Sequence, residues 1–166
     1  MRLSLIKRGV FSGKILFVKV IMFFLYRGMK TLYKYDSRVC KEIEGWPIGR
    51  TIVLTVSKRG PKLCLKKISS GILRSENIED PDILISFKSI DGAFLVFSGQ
   101  IGITEAYAQH RFMVKGDIAE IMSIVRCIEL AEVYLFPKII TKRILRRVPG
   151  KQLGSFRVYC HSLLGF

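Results

Sequence analysis

DILISFKSIDGAFLVFSGQIGITEAYAQHRFMVKGDIAEIMSIV, residues 82–125, changes its hydrophobic period repeatedly along its length. Ile83, Ile85 and Phe87 alternate, as in a half-buried strand. Ser89 then stands as an N-cap before Ile90, Phe94 and Phe97, which share one helix face at i, i+4 and i+7. Gly99 follows where a left-handed residue ends a helix. Residues 104–109 fit a second short helix, and 111–115 a strand with Phe112 and Val114 on one side. Gly116 turns the chain, and Asp117 caps a long helix with Glu120 in the capping-box position. That helix carries Ile118, Ile121, Met122, Val125 and Ile128 on its apolar face and ends near Phe136–Pro137.

Upstream the period is that of strands. Ile52, Leu54 and Val56 alternate in TIVLTVS, residues 51–57, and Leu63 and Leu65 do so in KLCLKKIS, residues 62–69. Arg59-Gly60-Pro61 between them signals a turn, so the pair reads as a hairpin, with a short third strand at Ile72-Leu73-Arg74. The acidic run 75–82 reads as a loop, where Asp80 and Asp82 flank Pro81 as turn chemistry. The polar stretch 36–50 leads into this domain.

The 166 residues carry 28 Lys and Arg against 13 Asp and Glu, a net charge of +15. The excess is confined to the ends. Before residue 35 stand Arg2, Lys7, Arg8, Lys14, Lys19, Arg27, Lys30 and Lys34 with no acid. After residue 136 stand Lys138, Lys142, Arg143, Arg146, Arg147, Lys151 and Arg157, again with no acid. Between them the two signs balance. A neutral domain between cationic, apolar flanks calls for a polyanion: an anionic membrane, a nucleic acid or an acidic partner.

The N-terminal run resembles a signal peptide only in outline, since Lys14 and Lys19 interrupt it and no small-residue cleavage site follows. Its longest uncharged stretch, Val20–Tyr26, is far short of the roughly 18–20 residues of a membrane span. A helical wheel puts Leu3, Ile6, Val10, Phe17, Ile21 and Phe24 on one face and most of the cations on the rest. The first expectation is an interfacial helix; a helix packed on the core, or a span with snorkelling lysines, stays open. Residues 138–148 form a basic amphipathic pattern, with Ile140, Ile144, Leu145 and Val148 opposite Lys138, Lys142, Arg143 and Arg146.

Reactive chemistry is sparse. Cys40, Cys64, Cys127 and Cys160 form no CxxC pair, and His110 and His161 add no metal-ligand spacing. The cysteines read as reduced, mostly buried thiols in a reducing compartment. GxSxG, HExxH and P-loop motifs are missing. No metal, cofactor or enzymatic activity is expected. Gln100, Glu105 and Gln109 are polar residues able to orient a headgroup, or simply solvated.

The order strand, strand, short strand, strand, helix, helix, strand, long helix resembles the sterol-carrier-protein type-two domain. The likeness covers roughly residues 50–135 and rests on the Asp-headed strand at Asp82, the Ser98-Gly99-Gln100 turn and Gly116-Asp117. His110 stands where that family often has glycine, a departure that a left-handed histidine accommodates. The resemblance implies an α+β fold: a five-stranded, antiparallel-type sheet covered on one face by helices, with an apolar tunnel between them that takes a sterol, a fatty acyl chain or a phospholipid. The chain then divides into a basic hydrophobic N-terminal helix (1–35), a lipid-binding domain (36–136) and a basic amphipathic C-terminal helix and tail (137–166).

Large apolar residues from adjoining elements suit such a wall: Phe87, Phe94, Phe97, Ile101, Ile103, Tyr107, Phe112, Met122 and Val125. A filled core would use the same residues. For membrane contact the candidates are Lys14, Phe17, Lys19 and Phe24 at one end and Lys138, Lys142, Arg143, Arg146 and Arg147 at the other. The expectation is a non-catalytic lipid-binding, lipid-transferring protein of the cytoplasm, peripheral on the inner leaflet. The rival readings are a membrane-attached scaffold with a solid core and a basic nucleic-acid binder. Nucleic acid is disfavoured because the cations are interleaved with bulky aliphatics and no nucleic-acid module is present.

Overall fold

The computed structural model describes residues 2–57, 60–136 and 141, with side chains from Phe11 onward. Helix α1 (Arg2–Tyr35) and helix α2 (Ser37–Glu44) precede the hairpin strands β1 (Thr51–Val56) and β2 (Lys62–Ile68). Strands β3 (Gly71–Ser75) and β4 (Ile83–Phe87), helices α3 (Ile90–Phe97) and α4 (Ile103–Ala108), strand β5 (Phe112–Lys115) and helix α5 (Ile118–Leu135) follow. The expected basic helix at 138–148, with Lys138, Lys142, Arg143, Arg146 and Arg147, lies outside the described residues, as does Cys160.

The five strands form one sheet in the order β3-β2-β1-β4-β5. Its helix-facing side is built of cross-strand rows. Leu63, Leu54, Ile85 and Val114 are opposed in register, and Val56, Phe87 and Phe112 form the next row. One pairing corrects the antiparallel expectation: β1 and β4 run parallel at the centre of the sheet. The cause is the acidic loop, which carries the chain back to the starting end of β1 before β4 begins. Lys62 fastens this loop, its Nζ donating to Asn77 Oδ1 at 2.9 Å and to the Ile78 carbonyl at 3.1 Å. Asp82 closes it, accepting from the Thr51 amide at 2.8 Å.

Helix boundaries follow their caps. Ser89 accepts from the Gly92 amide at 3.1 Å, and Gly99 is left-handed at φ 69°. Asp117 accepts from the Glu120 amide at 3.0 Å. The expected reciprocal half of that capping box is replaced: the Glu120 carboxylate takes Arg50 Nη2 at 2.7 Å. Helix α2 was not foreseen. Its signals were Asp36, which accepts from the Arg38 amide as N-cap, and the buried pair Val39 and Ile43 at i, i+4.

Helix α1, about 51 Å long at 1.5 Å per residue, packs on the core. Val18, Met22, Leu25, Met29 and Leu32 are buried in one cluster with the sheet and α5. Phe17 lies 5.2 Å from Phe94 of α3, ring centroid to centroid. Gly28 leaves room for Leu135 of α5, and Tyr33 closes on Gly71 of β3. The wheel's chosen face is therefore corrected. Phe17, Ile21 and Phe24 are flank residues, half-buried, while the stripe one step round the helix faces inward. Among the described residues no helix is long and apolar enough to cross a membrane.

Two measurements follow from this packing. Leu25→Ala, at a 3% exposed site, should cost about 2–5 kcal/mol in urea unfolding; a loss below about 1 kcal/mol would mean α1 is not part of the cooperative core. The second concerns Glu132 of α5, whose carboxyl burial, with Glu129 beside it, pushes up to about 8. The folded state then holds a proton that the unfolded chain, at about 4.3, releases. The stabilising contribution is full below that value and is lost as pH rises toward 8. Glu132→Gln should raise the melting temperature by about 2–4 °C or more at pH 8.5 and change it little at pH 5; equal effects at both pH values would exclude this titration.

Candidate functional site

The site is built where α4, β5 and α5 meet. His110, left-handed at φ 53°, ends α4 and reverses the chain into β5. Gly116, at φ 128°, then turns it into α5, and a Cβ there would sit 2.6 Å from the Asp82 carbonyl oxygen. Only glycine fits that approach. These two reversals splay three short elements into three walls.

Each wall contributes by its own period. Ile103 and Tyr107 come from α4 at i, i+4, Phe112 and Val114 from β5 at i, i+2. Ile118, Ile121, Met122 and Val125 come from α5 at i, i+3, i+4, i+7. With Thr104 they enclose a cavity of about 140 Å³. Among the described lining residues, Thr104 supplies the one hydroxyl besides Tyr107's. Ile103, Phe112, Ile121 and Val125 are buried and form the floor. Tyr107, Ile118 and Met122 are 54%, 76% and 47% exposed and form an apolar rim. Exposed apolar residues grouped around a concave mouth mark a binding surface more than scattered ones do.

The nine residues proposed from sequence divide. Ile103, Tyr107, Phe112, Met122 and Val125 line the cavity. Phe87 and Phe97 sit behind it in a filled aromatic column: Tyr107 to Phe112 is 5.6 Å, Phe112 to Phe87 5.1 Å and Phe87 to Phe97 5.5 Å. Phe94 turns away toward Phe17, and Ile101 packs half-buried on the core. The sequence reading missed Thr104, Val114, Ile118 and Ile121 as lining. Val114 was legible from its shared strand face with Phe112, and the two isoleucines from their spacing to Met122 and Val125.

Burial pushes the Cys127 thiol up to about 12, with Glu42 adding to the effect, so no thiolate nucleophile forms there near neutrality. Gln109 donates to Glu105 at 2.9 Å and accepts from Arg111 at 2.6 Å. Gln100 donates to Ser98 at 2.8 Å. These candidate headgroup ligands are exposed and bonded to one another or to neighbours. Among the described residues no cluster of His, Cys, Asp and Glu has the grouping to hold a metal ion.

The membrane candidates are also redistributed. Lys14 pairs with Asp91 at 2.6 Å and lies 5.4 Å from the Phe94 ring, so it is a helix-to-helix contact. Phe17 and Phe24 are half-buried. The outward face of α1 instead presents Leu16, Val20 and Phe23, at 64%, 42% and 41% exposure, among the exposed Lys19, Lys30 and Lys34. Arg27 stacks over the Phe23 ring at 5.7 Å.

No family model matches the chain, and no curated protein matches it. Similar solved structures do exist. One is a UbiJ-SCP2 ubiquinone synthesis protein, 18% identical, covering 80% of this chain and 100% of its own, with a TM-score of 0.43. Sterol carrier protein 2 from Yarrowia lipolytica, in apo form, is 16% identical, covering 66% of this chain and 88% of its own at a TM-score of 0.46. Palmitated SCP2L2 from Aedes aegypti is 12% identical, covering 60% of this chain and 91% of its own at a TM-score of 0.39. The likeness is one of fold, to the sterol-carrier type of α+β domain.

Proposed function

We propose that the chain binds a lipid non-covalently, with an apolar part of it in the α4–β5–α5 cavity, at the surface of an anionic membrane in the cytoplasm. The observation that carries this reading is the conjunction of an apolar cavity with an exposed apolar rim. Water gains little in a void lined by Ile103, Phe112, Ile121 and Val125, whereas a hydrocarbon group buries its surface there. The volume sets what enters first. A cavity of about 140 Å³ matches a group of about benzene size, so a branch or chain end fills it. The rest of the chain lies along Tyr107, Ile118 and Met122, and Met122 has the rotameric freedom to widen the mouth. The membrane part of the reading is supported by the outward face of α1 and by the cations of residues 138–147. No covalent step is involved.

Native mass spectrometry of the purified chain, with organic extraction, tests the cavity. A stoichiometric lipid adduct is expected, and Met122→Trp, which plugs the mouth from an exposed position, should reduce it about tenfold. A clean apo mass after incubation with fatty acids and phospholipids would leave the rival reading, a scaffold with a solid core. Flotation tests the surface. Neutralising Lys142, Arg143, Arg146 and Arg147 to Gln should weaken recovery with vesicles containing phosphatidylglycerol, and unchanged recovery would rule out C-terminal docking.

A further inference from the structure

A second concavity lies on the other side of the molecule, between α1 and the free edge of the sheet. Its volume is about 300 Å³, and its lining includes Lys19 and Phe23 of α1, Pro61, Leu63 of β2 and Arg74 of β3. The register explains the position of Arg74. It pairs with the inward-facing Leu65, so the edge strand sends a guanidinium toward the helix layer, beneath α1, where the core has ended. Arg74 and Lys19 are exposed, and neither has an ion-pair partner among the described residues. Among the described residues that line the cleft there is no acid. Lys62 also borders it, but its Nζ is spent on Asn77 and Ile78.

We propose that this cleft is a subsite for the phosphate-bearing headgroup of an anionic phospholipid, held by Arg74 and Lys19. The inference rests on the membrane reading above and assigns it a definite contact. Three observations favour a headgroup as the occupant. Two cations without an ion-pair partner among the described residues focus positive potential at a concave site and so attract an anion. A guanidinium offers phosphate a two-pronged hydrogen-bonding partner. The third is position: Phe23 lines the cleft and stands on the same outward face of α1 as Leu16 and Val20. An anion bound here sits beside apolar side chains placed to enter the acyl region. The volume is at the lower end of small-ligand sites, about 300 Å³ and upward, which suits a headgroup and leaves the acyl chains outside.

The experiment compares two double variants of the full chain. Lys19→Gln with Arg74→Gln removes the cleft cations; Lys30→Gln with Lys34→Gln removes the same charge from the exposed end of α1. With phosphatidylcholine vesicles containing phosphatidylglycerol, the cleft variant should bind about tenfold more weakly than the control variant. Equal losses would overturn the cleft while leaving membrane docking standing as diffuse attraction. A second arm needs no membrane: the Arg74 Nε–Hε resonance of the labelled chain is titrated with soluble dihexanoyl-phosphatidylglycerol and with inorganic phosphate. Saturation by the lipid at lower concentration supports the headgroup, even if vesicles are ignored and the membrane reading fails. Saturation by phosphate at equal or lower concentration, or no response to either, overturns it.

Discussion

The carboxylate of Asp36 is the constraint on which the helix layer depends. It is 1% exposed, at the junction where α1 stops and α2 begins. Burial alone would raise its pKa, but hydrogen bonds from Arg38 and Tyr134 outweigh that and hold it below the ordinary carboxylate range. Arg38 donates through its amide, Nε and Nη2, at 3.0, 3.0 and 2.7 Å, and Tyr134 of α5 donates its hydroxyl at 2.8 Å. One charged group therefore caps α2, fixes the angle between α1 and α2 and anchors the far end of α5. A buried charge left without these donors would cost several kcal/mol, so the three helices are tied to one geometry.

From that node a polar seam runs along α2 and α5. Trp46 Nε1 donates to Ser123 Oγ at 2.8 Å, and Ser123 donates on to Glu42 at 2.7 Å. Arg126 grips Glu42 with two bonds, of 2.6 and 2.8 Å, and keeps its carboxyl below the usual range. At the other end, Lys67 is buried under the Tyr33 ring at 5.4 Å and reaches Glu44 at 3.4 Å. Glu44 in turn accepts from the Tyr33 hydroxyl. Several charged residues of the neutral middle of the chain are thus paired with one another. Among the described residues, Lys19, Lys30 and Lys34 on the outward face of α1 have no such ion pair.

Much of the sheet and the order of its elements was legible because the determinants are local. Alternation fixed Ile83, Ile85 and Phe87, the side chains of Ser89 and Asp117 marked helix starts, and left-handed residues stand at Gly99, His110 and Gly116. What was not legible depends on partners distant in sequence. The α1 wheel has apolar residues on nearly every face, so only contact with α3 and α5 decides that Met22 and Leu25 go in while Leu16 and Phe23 stay out. Glu120 looked like half of a capping box until Arg50, 70 residues away, claimed it. The candidate site was half legible for a related reason. Large apolar residues on adjoining elements identify a wall, but whether Phe87 fills a space or borders one depends on Phe97 and Phe112.

Helix α5 joins these themes because its faces carry different duties. Ser123 and Arg126 face the polar seam, Tyr134 and Leu135 face the α1–α2 layer, and Ile118, Ile121, Met122 and Val125 face the cavity. The bonded faces are directional and stiff. The cavity face is held by dispersion alone, and at Ile118 and Met122 it is open to solvent. An apolar ligand of the kind proposed above would meet the side chains of the first two turns of α5 and not the hydrogen-bonded groups that position the helix. Gly116 adds to this, since the turn that sets the start of α5 is fixed by its close approach to Asp82. A hydrogen-bonded frame with an apolar mouth would suit the lipid site proposed above, because most of the binding free energy of such a site comes from buried area and little from directional contacts.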